Sequence, residues 1–331
     1  MSTPRVYVIH ENPEWFPPLA AAFQAEGVPV EEILLTEGQI DLGAEPEPGV
    51  YWSRMSASSH TRGHEHSKEY TRAVLGWLER AGRQVVGGSH VLELEVSKVA
   101  QHGLLANAGF DVPRTTAVFG TTTLKRAAKD FTDGQDVPFI TKHNQGGKGL
   151  GVRRFDSLAE FDAYVDSPEF EAPVDGITLL QEYLTAREPF ITRVEFVGGE
   201  FVYAVRVDTS AGSFELCPAD ACEVPQVIAG AVCDVPGTDT AGAPPAFSVR
   251  EGITAEHPLV QRLRTFLADQ RITIAGVEFM ETTDGRTVVY DINTNTNYNP
   301  AVEETAPASG PRSIAQYLGG LLAAEYQAAA V

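Results

Sequence analysis

Short apolar runs alternate with longer amphipathic segments over residues 1–95. The amphipathic segments repeat apolar residues about every three to four positions, which indicates helices. The pattern predicts strands at 5–10, 30–35, 50–53 and 84–86, and helices at 15–26 and 65–81. Strands that alternate with helices are typical of βαβ units. We therefore predict an N-terminal α/β domain at 1–95 with a mostly parallel sheet.

The next segment, 96–180, mixes shorter strands and helices. Ser97 favours the start of a helix because its side chain can cap the first turn, and Gly109 favours the end of that helix. The predicted elements are helices at 97–108, 121–131 and 157–165, and strands at 112–119, 138–143 and 152–155. This arrangement predicts a small central α+β domain.

Residues 181–331 form the third predicted unit, which is also α+β. Its predicted elements, with the strand leading into it, are strands at 177–184, 190–197, 200–208, 276–281 and 287–292, helices at 257–270 and 313–328, and an irregular loop at 218–245. Gly198-Gly199 and Asp284-Gly285 are favourable turn pairs. The strands that flank each pair are therefore predicted to form hairpins.

Composition excludes several classes of protein. The formal net charge of −20 over 331 residues argues against a general nucleic-acid binder, which needs a basic surface. No apolar run approaches the roughly 20 residues that span a bilayer, and the first residues lack the pattern of a signal peptide. The three cysteines, Cys217, Cys222 and Cys233, are too few for a disulfide framework and have no zinc-site spacing. We expect a cytoplasmic protein with reduced thiols that does not bind membranes.

A glycine-rich loop joins the predicted strands 138–143 and 152–155. Its glycines are Gly146, Gly147, Gly149 and Gly151. Glycines let backbone N–H groups turn toward an anion, and Lys142 and Lys148 add positive charge. The loop is not a P-loop, because no Ser or Thr follows a lysine at the start of a helix. It suits a flap over a nucleotide, although a flexible hairpin would have the same composition.

Polar side chains interrupt the second hairpin of the third unit. Asp291 and Asn293 are two positions apart on one strand, so they share a face, and Glu278 can lie across the hairpin on that face. Two carboxylates and an amide oxygen form a set of ligands suited to magnesium, which keeps several waters and is completed by substrate phosphates. The alternative is that Asp291 and Asn293 only shape a turn.

The order of these features resembles the ATP-grasp superfamily, and within it the RimK-like carboxylate–amine ligases. The matching motifs are Ser97-Lys98, 108–115, 139–142 with the glycine loop, 180–184, 193–200, Arg206, Glu278, and Asp291 with Asn293. They extend over about two-thirds of the chain. The resemblance implies an ATP-grasp fold, in which an N-terminal βαβ domain precedes two α+β subdomains that clamp ATP.

The resemblance also implies which residues bind the nucleotide. They are Lys98, Lys142, the flap residues Gly146, Gly147, Lys148 and Gly149, the linker Glu182, Tyr183 and Leu184, and Glu188. The two lysines are implied to contact the phosphates. The linker is implied to hydrogen-bond adenine through its backbone, and Glu188 to hold the ribose hydroxyls.

The implied chemistry lies at the other end of ATP. Arg193 and Arg206 match basic positions near the γ-phosphate and the developing acyl phosphate. Glu278, Asp291 and Asn293 match ligands of magnesium, with two ions expected and Mn²⁺ able to substitute. The chain departs from the family in having a threonine, where an acid is common, before the first arginine. It also has an Asn-rich segment in place of the usual Pro-Gly.

A polar segment at 53–66 follows the predicted strand that ends at residue 53. Ligands of open α/β sheets bind beyond the carboxyl ends of the strands. We predict that Arg54, His60 and Arg62 recognise a substrate, with Asn295 from the Asn-rich segment. A solvated loop and a histidine metal site are the alternatives.

The function that the resemblance implies is ATP-dependent formation of an amide or peptide bond. A carboxylate would be activated as an acyl phosphate and passed to an amine, with release of ADP and phosphate. The substrates would be a small-molecule carboxylate and an amine, such as an amino acid or peptide. The oligomeric state is left open, and the resemblance is compatible with a homodimer. A kinase-type ATP-grasp enzyme and a nucleotide-binding regulatory protein with a degenerate site are the alternatives.

Overall fold

A computed structural model describes residues 3–147, 149, 151–210 and 245–326. Its strands are β1 (Arg5–His10), β2 (Val30–Leu34), β3 (Gly49–Ser53), β4 (Gln84–Val86), β5 (Thr115–Phe119), β6 (Phe139–His143), β7 (Arg153–Phe155), β8 (Ile177–Glu182), β9 (Phe190–Val197), β10 (Glu200–Asp208), β11 (Phe247–Val249), β12 (Ile274–Glu281) and β13 (Thr287–Asn293). Its helices are α1 (Pro17–Ala25), α2 (Ser67–Arg80), α3 (Ser89–Glu95), α4 (Lys98–Asn107), α5 (Leu124–Phe131), α6 (Leu158–Val165), α7 (Pro258–Asp269), α8 (Pro300–Glu303) and α9 (Gly310–Tyr326). Lys148, the three cysteines and positions 218–244 of the predicted loop lie outside the described residues.

The first sheet has the strand order β2-β1-β3-β4, and its pairings are parallel. Side chains of β1 alternate between two cores, as the pleat of a strand requires. Val6 and Val8 pack with residues of α1 and α9, whereas Tyr7 and Ile9 pack with residues of α2. The last helix of the chain therefore belongs to the core of the first sheet, although it is remote from that sheet in sequence.

The second sheet has the order β5-β8-β6-β7 and antiparallel pairings. Helices α5 and α6 cover one of its faces, where Phe139, Phe155 and Phe161 pack edge-on or tilted at 5.0–5.7 Å between ring centroids. Ile140 and Lys142 alternate with Phe139 along β6, so they point to the opposite face and line a cleft there.

The third sheet has the order β11-β10-β9-β12-β13 and antiparallel pairings. Val194 of β9 and Val277 of β12 pack with Leu263 and Phe266 of α7 in a core on one face. The opposite face carries polar and charged side chains near β13. The second and third sheets thus enclose the cleft, and the third sheet contributes the polar side of its lining.

Local sequence explains where several elements begin and end. The Ser97 hydroxyl accepts from the backbone N–H of Ala100 at the start of α4, as its capping position predicts. Gly198 and Gly199 close the β9–β10 hairpin with φ of 63° and 78°, in the left-handed region that glycine tolerates. Gly285 takes a φ of 86° in the turn between β12 and β13.

The structure differs from the sequence expectations in a few elements. Helices α3 and α8 were not predicted, because each is too short to show a helical repeat. Strand β5 begins at Thr115 and not at 112, since Pro113 has no N–H to donate to a neighbouring strand. No helix in the described part of the chain is long and apolar enough to cross a membrane. The division at 95 and 180 into three domains stays a prediction.

Candidate active site

Three charged side chains stand side by side on the polar face of the third sheet. Glu278 of β12 pairs with Asp291 of β13 on one side and with Arg193 of β9 on the other. A shift of register between positions 278 and 279 leaves Tyr290 as the extra residue of a β-bulge. Tyr290 and Asp291 therefore both line the cleft, together with Asn293 two positions further on.

The two carboxylates and the amide lie close together. Asn293 Nδ2 is 3.5 Å from Glu278 Oε1 and 3.4 Å from Asp291 Oδ2. Glu278 is 5% exposed, and its burial, followed by the charge of Asp291, raises the pKa of Glu278 to about 7. Burial alone would raise the pKa of Asp291, but Lys98 and Lys142 hold it below its usual range.

The chemistry of this set fits a magnesium ion. The buried Glu278 and half-buried Asp291 carboxylates repel each other, and a divalent cation between them would remove that cost. Exchanging the amide nitrogen and oxygen of Asn293 would present its oxygen to the same point, because the two atoms are assigned from hydrogen bonding. The set contains two acids, and no group of three or more His, Cys, Asp and Glu suited to a metal occurs in the described ranges.

Two lysines add positive charge at the same point. Lys98, the first residue of α4, forms an ion pair with Asp291 through Nζ and Oδ1. Lys142 is 7% exposed, and burial together with the charge of Lys98 lowers the pKa of Lys142 to about 8. Its Nζ lies 5.7 Å from the ring centroid of Tyr290. The two cations and two carboxylates therefore line the same cleft, with Lys142 on the second sheet and both carboxylates on the third.

Helix α4 also holds the backbone of β13, which is an edge strand of its sheet. Gln101 Nε2 donates to Ile292 O at 2.9 Å, and Ile292 N donates to Gln101 Oε1 at 3.0 Å. His102 Nε2 lies 3.1 Å from Tyr290 O, so that nitrogen carries the proton in the neutral ring. Side chains of α4 thus take the place of a neighbouring strand.

The last residue of α3 also holds this strand. Glu95 is half-buried, and its carboxylate accepts from Thr294 N at 2.7 Å and from Thr294 Oγ1 at 2.8 Å. With the Gln101 contacts, this bond fixes the backbone on both sides of Asn293. We did not single out Glu95, Gln101 or His102 from the sequence. The spacing of Gln101 and His102, three and four positions after Lys98, could have placed them on one helical face.

The cleft between the second and third sheets gathers most of the predicted nucleotide and metal residues. Its lining comprises Lys98, Ile140, Lys142, His143, Gly146, Gly147, Gly149, Val152, Gln181, Glu182, Tyr183, Leu184, Glu278, Met280, Tyr290, Asp291 and Asn293. The glycine loop approaches the N-terminal domain closely, because a Cβ placed on Gly147 would lie 3.2 Å from Ser58 Cβ. The loop therefore lies between the cleft and the segment after β3.

The predicted adenine linker lies along one edge of the cleft. The Glu182 side chain is turned to neighbouring loops, where it accepts from Arg286 Nη1 at 3.0 Å and from Arg114 N at 2.9 Å. Arg154 stacks its guanidinium 4.3 Å from the ring centroid of Tyr183. These contacts fix the linker while leaving Leu184 and its neighbours to line the cleft.

Two predicted residues are not brought to this cluster. Arg206 pairs with Thr192, one position from Arg193, and so points to the opposite face of the sheet. There it lies 3.2 Å from the carboxylate of Asp208 and stacks on Phe190. Exposed Glu188 lines a separate small cleft that includes Phe190 and Thr192. The structure thus gives no support to a γ-phosphate contact for Arg206 or a ribose contact for Glu188.

In the N-terminal segment, Arg62 is engaged within the protein. Its Nη2 and Nε donate to the two oxygens of Glu11 at 2.6 and 3.1 Å, and its Nη1 donates to Ser58 Oγ at 3.1 Å. His64 Nδ1 lies 3.0 Å from the same carboxylate. Burial alone would raise the pKa of Glu11, but the bonds from Arg62 and His64 hold it below its usual range. We did not anticipate Glu11, which is remote from Arg62 in sequence.

Arg54 differs from Arg62 in its partners. It is 3% exposed, and its Nη2 donates to Asn297 Oδ1 at 2.9 Å and to Thr296 O at 3.3 Å. Its Nε and Nη1 are buried without a hydrogen-bond partner among the described residues, and so is Asn295 Oδ1. His60, in the same segment, is half-buried, and burial followed by the charge of Lys68 lowers its pKa.

No family model and no curated protein sequence matches the chain. Solved structures do match it, including D-cycloserine synthetase DcsG at 17% identity, over 96% of this chain and 99% of that chain, with a TM-score of 0.63. An ATP-grasp RimK domain protein from Sphaerobacter thermophilus matches at 16% identity, 95% and 98% coverage and a TM-score of 0.64. D-alanyl-alanine synthetase A from Vibrio cholerae matches at 11% identity, 97% and 99% coverage and a TM-score of 0.62. These matches confirm the predicted fold class: the chain has the ATP-grasp fold over nearly its whole length.

Proposed function

We propose that the protein is an ATP-dependent carboxylate–amine ligase, which forms an amide bond through an acyl phosphate and releases ADP and phosphate. The observation that supports this proposal is the convergence of two lysines, two carboxylates, an amide and a glycine-rich loop on one cleft between two sheets. Structures of the ATP-grasp ligase PsnB, one of them with a minimal precursor, Mg and ADP, share the fold.

In this proposal the cleft holds the triphosphate at its polar end. Lys98 and Lys142 neutralise phosphate oxygens, and Glu278, Asp291 and Asn293 hold magnesium, with two ions proposed and Mn²⁺ able to substitute. Bound magnesium would supply charge neutralisation for phosphoryl transfer. Glycines 146, 147 and 149 would cover the phosphates and exclude water, which otherwise hydrolyses an acyl phosphate.

The protein's own part in the chemistry is mainly positioning and electrostatic. A carboxylate becomes a good electrophile when its oxygen is phosphorylated, and the amine then attacks its carbonyl carbon. The oxyanion that forms needs a cation nearby. Arg193 stands next to Glu278 on the cleft face, so we assign that task to Arg193 and not to Arg206. Glu195 holds Arg193 Nε at 2.6 Å and fixes its guanidinium.

Product formation tests the proposal directly. A panel of carboxylates and amines is incubated with ATP and magnesium, and phosphate release and product mass are measured. We expect amine-dependent ADP release and a new amide, whereas a stable phosphorylated product would indicate a kinase. Glu278→Gln should abolish turnover. Glu281→Gln is the matched control, because Glu281 lies on the same strand but is bound by Arg187 and Arg250 away from the cleft.

Turnover by the Glu278→Gln variant at the rate of the unmodified protein would contradict the proposal. The substrates expected are a small carboxylate and an amino acid or peptide amine. A homodimer stays a prediction, which light scattering of the purified protein would test.

A further inference from the structure

We infer that Arg54 binds a carboxylate group that the reaction does not consume, carried by one of the two substrates. This inference rests on the proposed ligase function and names a feature of the substrate. Its basis is a buried guanidinium whose Nε and Nη1 have no hydrogen-bond partner within the described ranges. Buried cations in proteins are normally paired, because an unpaired charge loses its hydration without compensation.

The acids nearest to Arg54 are bound to other groups. Glu11 is held by Arg62 and His64, and Glu95 accepts twice from Thr294. The charges of Glu11 and Glu95 raise the pKa of Arg54, but burial has the larger effect and lowers that pKa to about 10. Two neutral acceptors at Nη2, and the Trp52 ring with its centroid 5.6 Å from Cζ, do not balance a full charge. An anionic group from outside the chain would supply the missing partner.

The position of Arg54 suits a substrate group. Arg54 directly follows β3, at the carboxyl end of a parallel sheet, where ligands of such sheets bind. The hydroxyl of Ser59 in the same segment is also buried without a partner among the described residues. The segment therefore offers a positive charge and a neutral polar group that the described residues do not satisfy.

Arg54 also lies near Arg193, which is proposed to stabilise the oxyanion. Asn297 joins it to Arg193: Arg54 Nη2 donates to the Asn297 side chain at 2.9 Å, and Arg193 Nη2 donates to the Asn297 backbone oxygen at 3.0 Å. The length of one asparagine and two hydrogen bonds limits the separation of the donor nitrogens to about 12 Å. Arg54 is therefore within about 12 Å of Arg193, which pairs with Glu278 in the sheet.

The spectator carboxylate has two possible carriers. It can be the carboxylate of an amino acid that supplies the amine, or the second carboxylate of a dicarboxylic acid whose first is activated. Both use the same ion pair with guanidinium, for which carboxylate is a well-matched anion. The experiment separates them by changing one substrate at a time.

The probes are glycine, alanine, succinate and glutarate, each measured beside the primary amide that lacks one carboxylate. Binding is followed by the shift of Tm without ATP, and catalysis by KM in amine-dependent ADP release. In one of the two sets, the amino acids or the dicarboxylic acids, we expect the acid to raise Tm more than its amide does. Its KM should be about 10-fold to 100-fold lower than that of the amide. If glycine and alanine are preferred over their amides, the carrier of the spectator carboxylate is an amino acid. If succinate and glutarate are preferred over theirs, the carrier is a dicarboxylic acid.

Two variants connect the preference to Arg54. Arg54→Met should abolish the discrimination between acid and amide, and Arg54→Lys should retain part of it. The Tm of the ligand-free Met variant should be unchanged or higher, because the substitution removes an unpaired buried charge. Arg72→Met is the control, since Arg72 is half-buried on α2 and paired with Glu93. It should leave the preference unchanged.

Three results would overturn the inference. In the first, the unmodified protein responds equally to every acid and its amide. In the second, Arg54→Met discriminates between acid and amide as well as the unmodified protein does. In the third, the Tm of ligand-free Arg54→Met falls greatly while the discrimination is retained. Failure of the ligase proposal would look different. ADP release would then be absent with every pair, while the Arg54-dependent shift of Tm would persist.

Discussion

Gln101 and Ile292 exchange two hydrogen bonds, as paired residues of neighbouring strands do. The side-chain amide of Gln101 donates to Ile292 O at 2.9 Å and accepts from Ile292 N at 3.0 Å. Ile292 stands between Asp291 and Asn293, so the contact fixes the backbone that aims both side chains into the cleft. A helix thereby sets the geometry of the candidate metal site.

Replacing Gln101 by Leu should weaken magnesium binding without removing a ligand. The change leaves the N–H and C=O of Ile292 buried and unpaired, at a cost of about 1–3 kcal/mol each. Loss of such supporting contacts typically lowers metal affinity by about 10-fold to 100-fold. We expect the magnesium concentration that gives half-maximal ADP release to rise by that factor. Gln261→Leu, on the exposed side of α7, should not change it, and equal requirements in both variants would refute the role of Gln101.

The sequence predicts that Glu278, Asp291 and Asn293 share one face of the hairpin, and the strand pairing agrees with this. A strand alternates its side chains, so residues 291 and 293 share a face, and the turn at Asp284-Gly285 sets the partner strand. In the structure the turn pairs Glu281 with Thr287, and the bulge at Tyr290 then brings Asp291 opposite Glu278. The contacts from Glu95 and Gln101 could not be predicted, because they depend on how α4 packs against the edge of the sheet.

Arg206 shows how one extra residue at a bulge changes the face of the sheet on which a side chain lies. Val197 pairs with Glu200, so an uninterrupted hairpin would pair Arg206 with Ile191, which has the same parity as Arg193 and would share its face. The register shifts by one between Phe201 and Tyr203, and Arg206 pairs with Thr192 instead. Bulges of this kind leave no clear mark in a sequence, since they need no special residue.

The two arginines should therefore differ sharply in their importance. Arg193→Gln should lower kcat/KM by about 100-fold or more, as loss of an oxyanion donor does. Arg206→Gln removes a cation that pairs with Asp208 on the other face, and we expect a change of no more than a few-fold. Steady-state ADP release measures both, with circular dichroism to show that each variant is folded. Losses of the same size in the two variants would show that the face of the sheet does not matter.

His102 should make the protein sensitive to mild acid. Burial and the charge of Lys142 lower the pKa of His102 to about 4, whereas an unfolded histidine titrates near 6.5. As pH falls from about 6.5 to about 4, the unfolded chain takes up a proton that the folded chain does not. Stability is therefore lost across that window, by about 3 kcal/mol for this group.

The variant His102→Gln isolates this contribution, because Gln can donate to Tyr290 O but does not titrate. Urea unfolding at a series of pH values should show a shallower loss of stability in the variant between pH 6.5 and 4. His90→Gln, at an exposed position on α3, should follow the unmodified protein. Parallel curves for His102→Gln and the unmodified protein would exclude a neutral buried histidine.

The N-terminal segment shows a different limit of sequence reasoning. The sequence does not distinguish Arg54 from Arg62, since both lie in a polar loop that follows a strand. Their difference comes from Glu11 and Asn297, which reach them from the end of β1 and from beyond β13. Long-range partners decide which arginine is engaged within the protein, and no local pattern records them.

Because Lys98 pairs with Asp291, bound magnesium should restore the stability that is lost when Lys98 is replaced. Lys98→Met removes the ion-pair partner of Asp291 and leaves only Lys142 and Arg193 to offset the two carboxylates, which should destabilise the metal-free protein by up to about 3 kcal/mol. Magnesium would replace the lost charge. The rise in Tm between EDTA and excess magnesium should therefore be larger in the variant than in the unmodified protein. Lys129→Met, at an exposed position on α5, is the control. A variant that is destabilised equally with and without magnesium would show that Lys98 acts on the fold and not on the charge of this site.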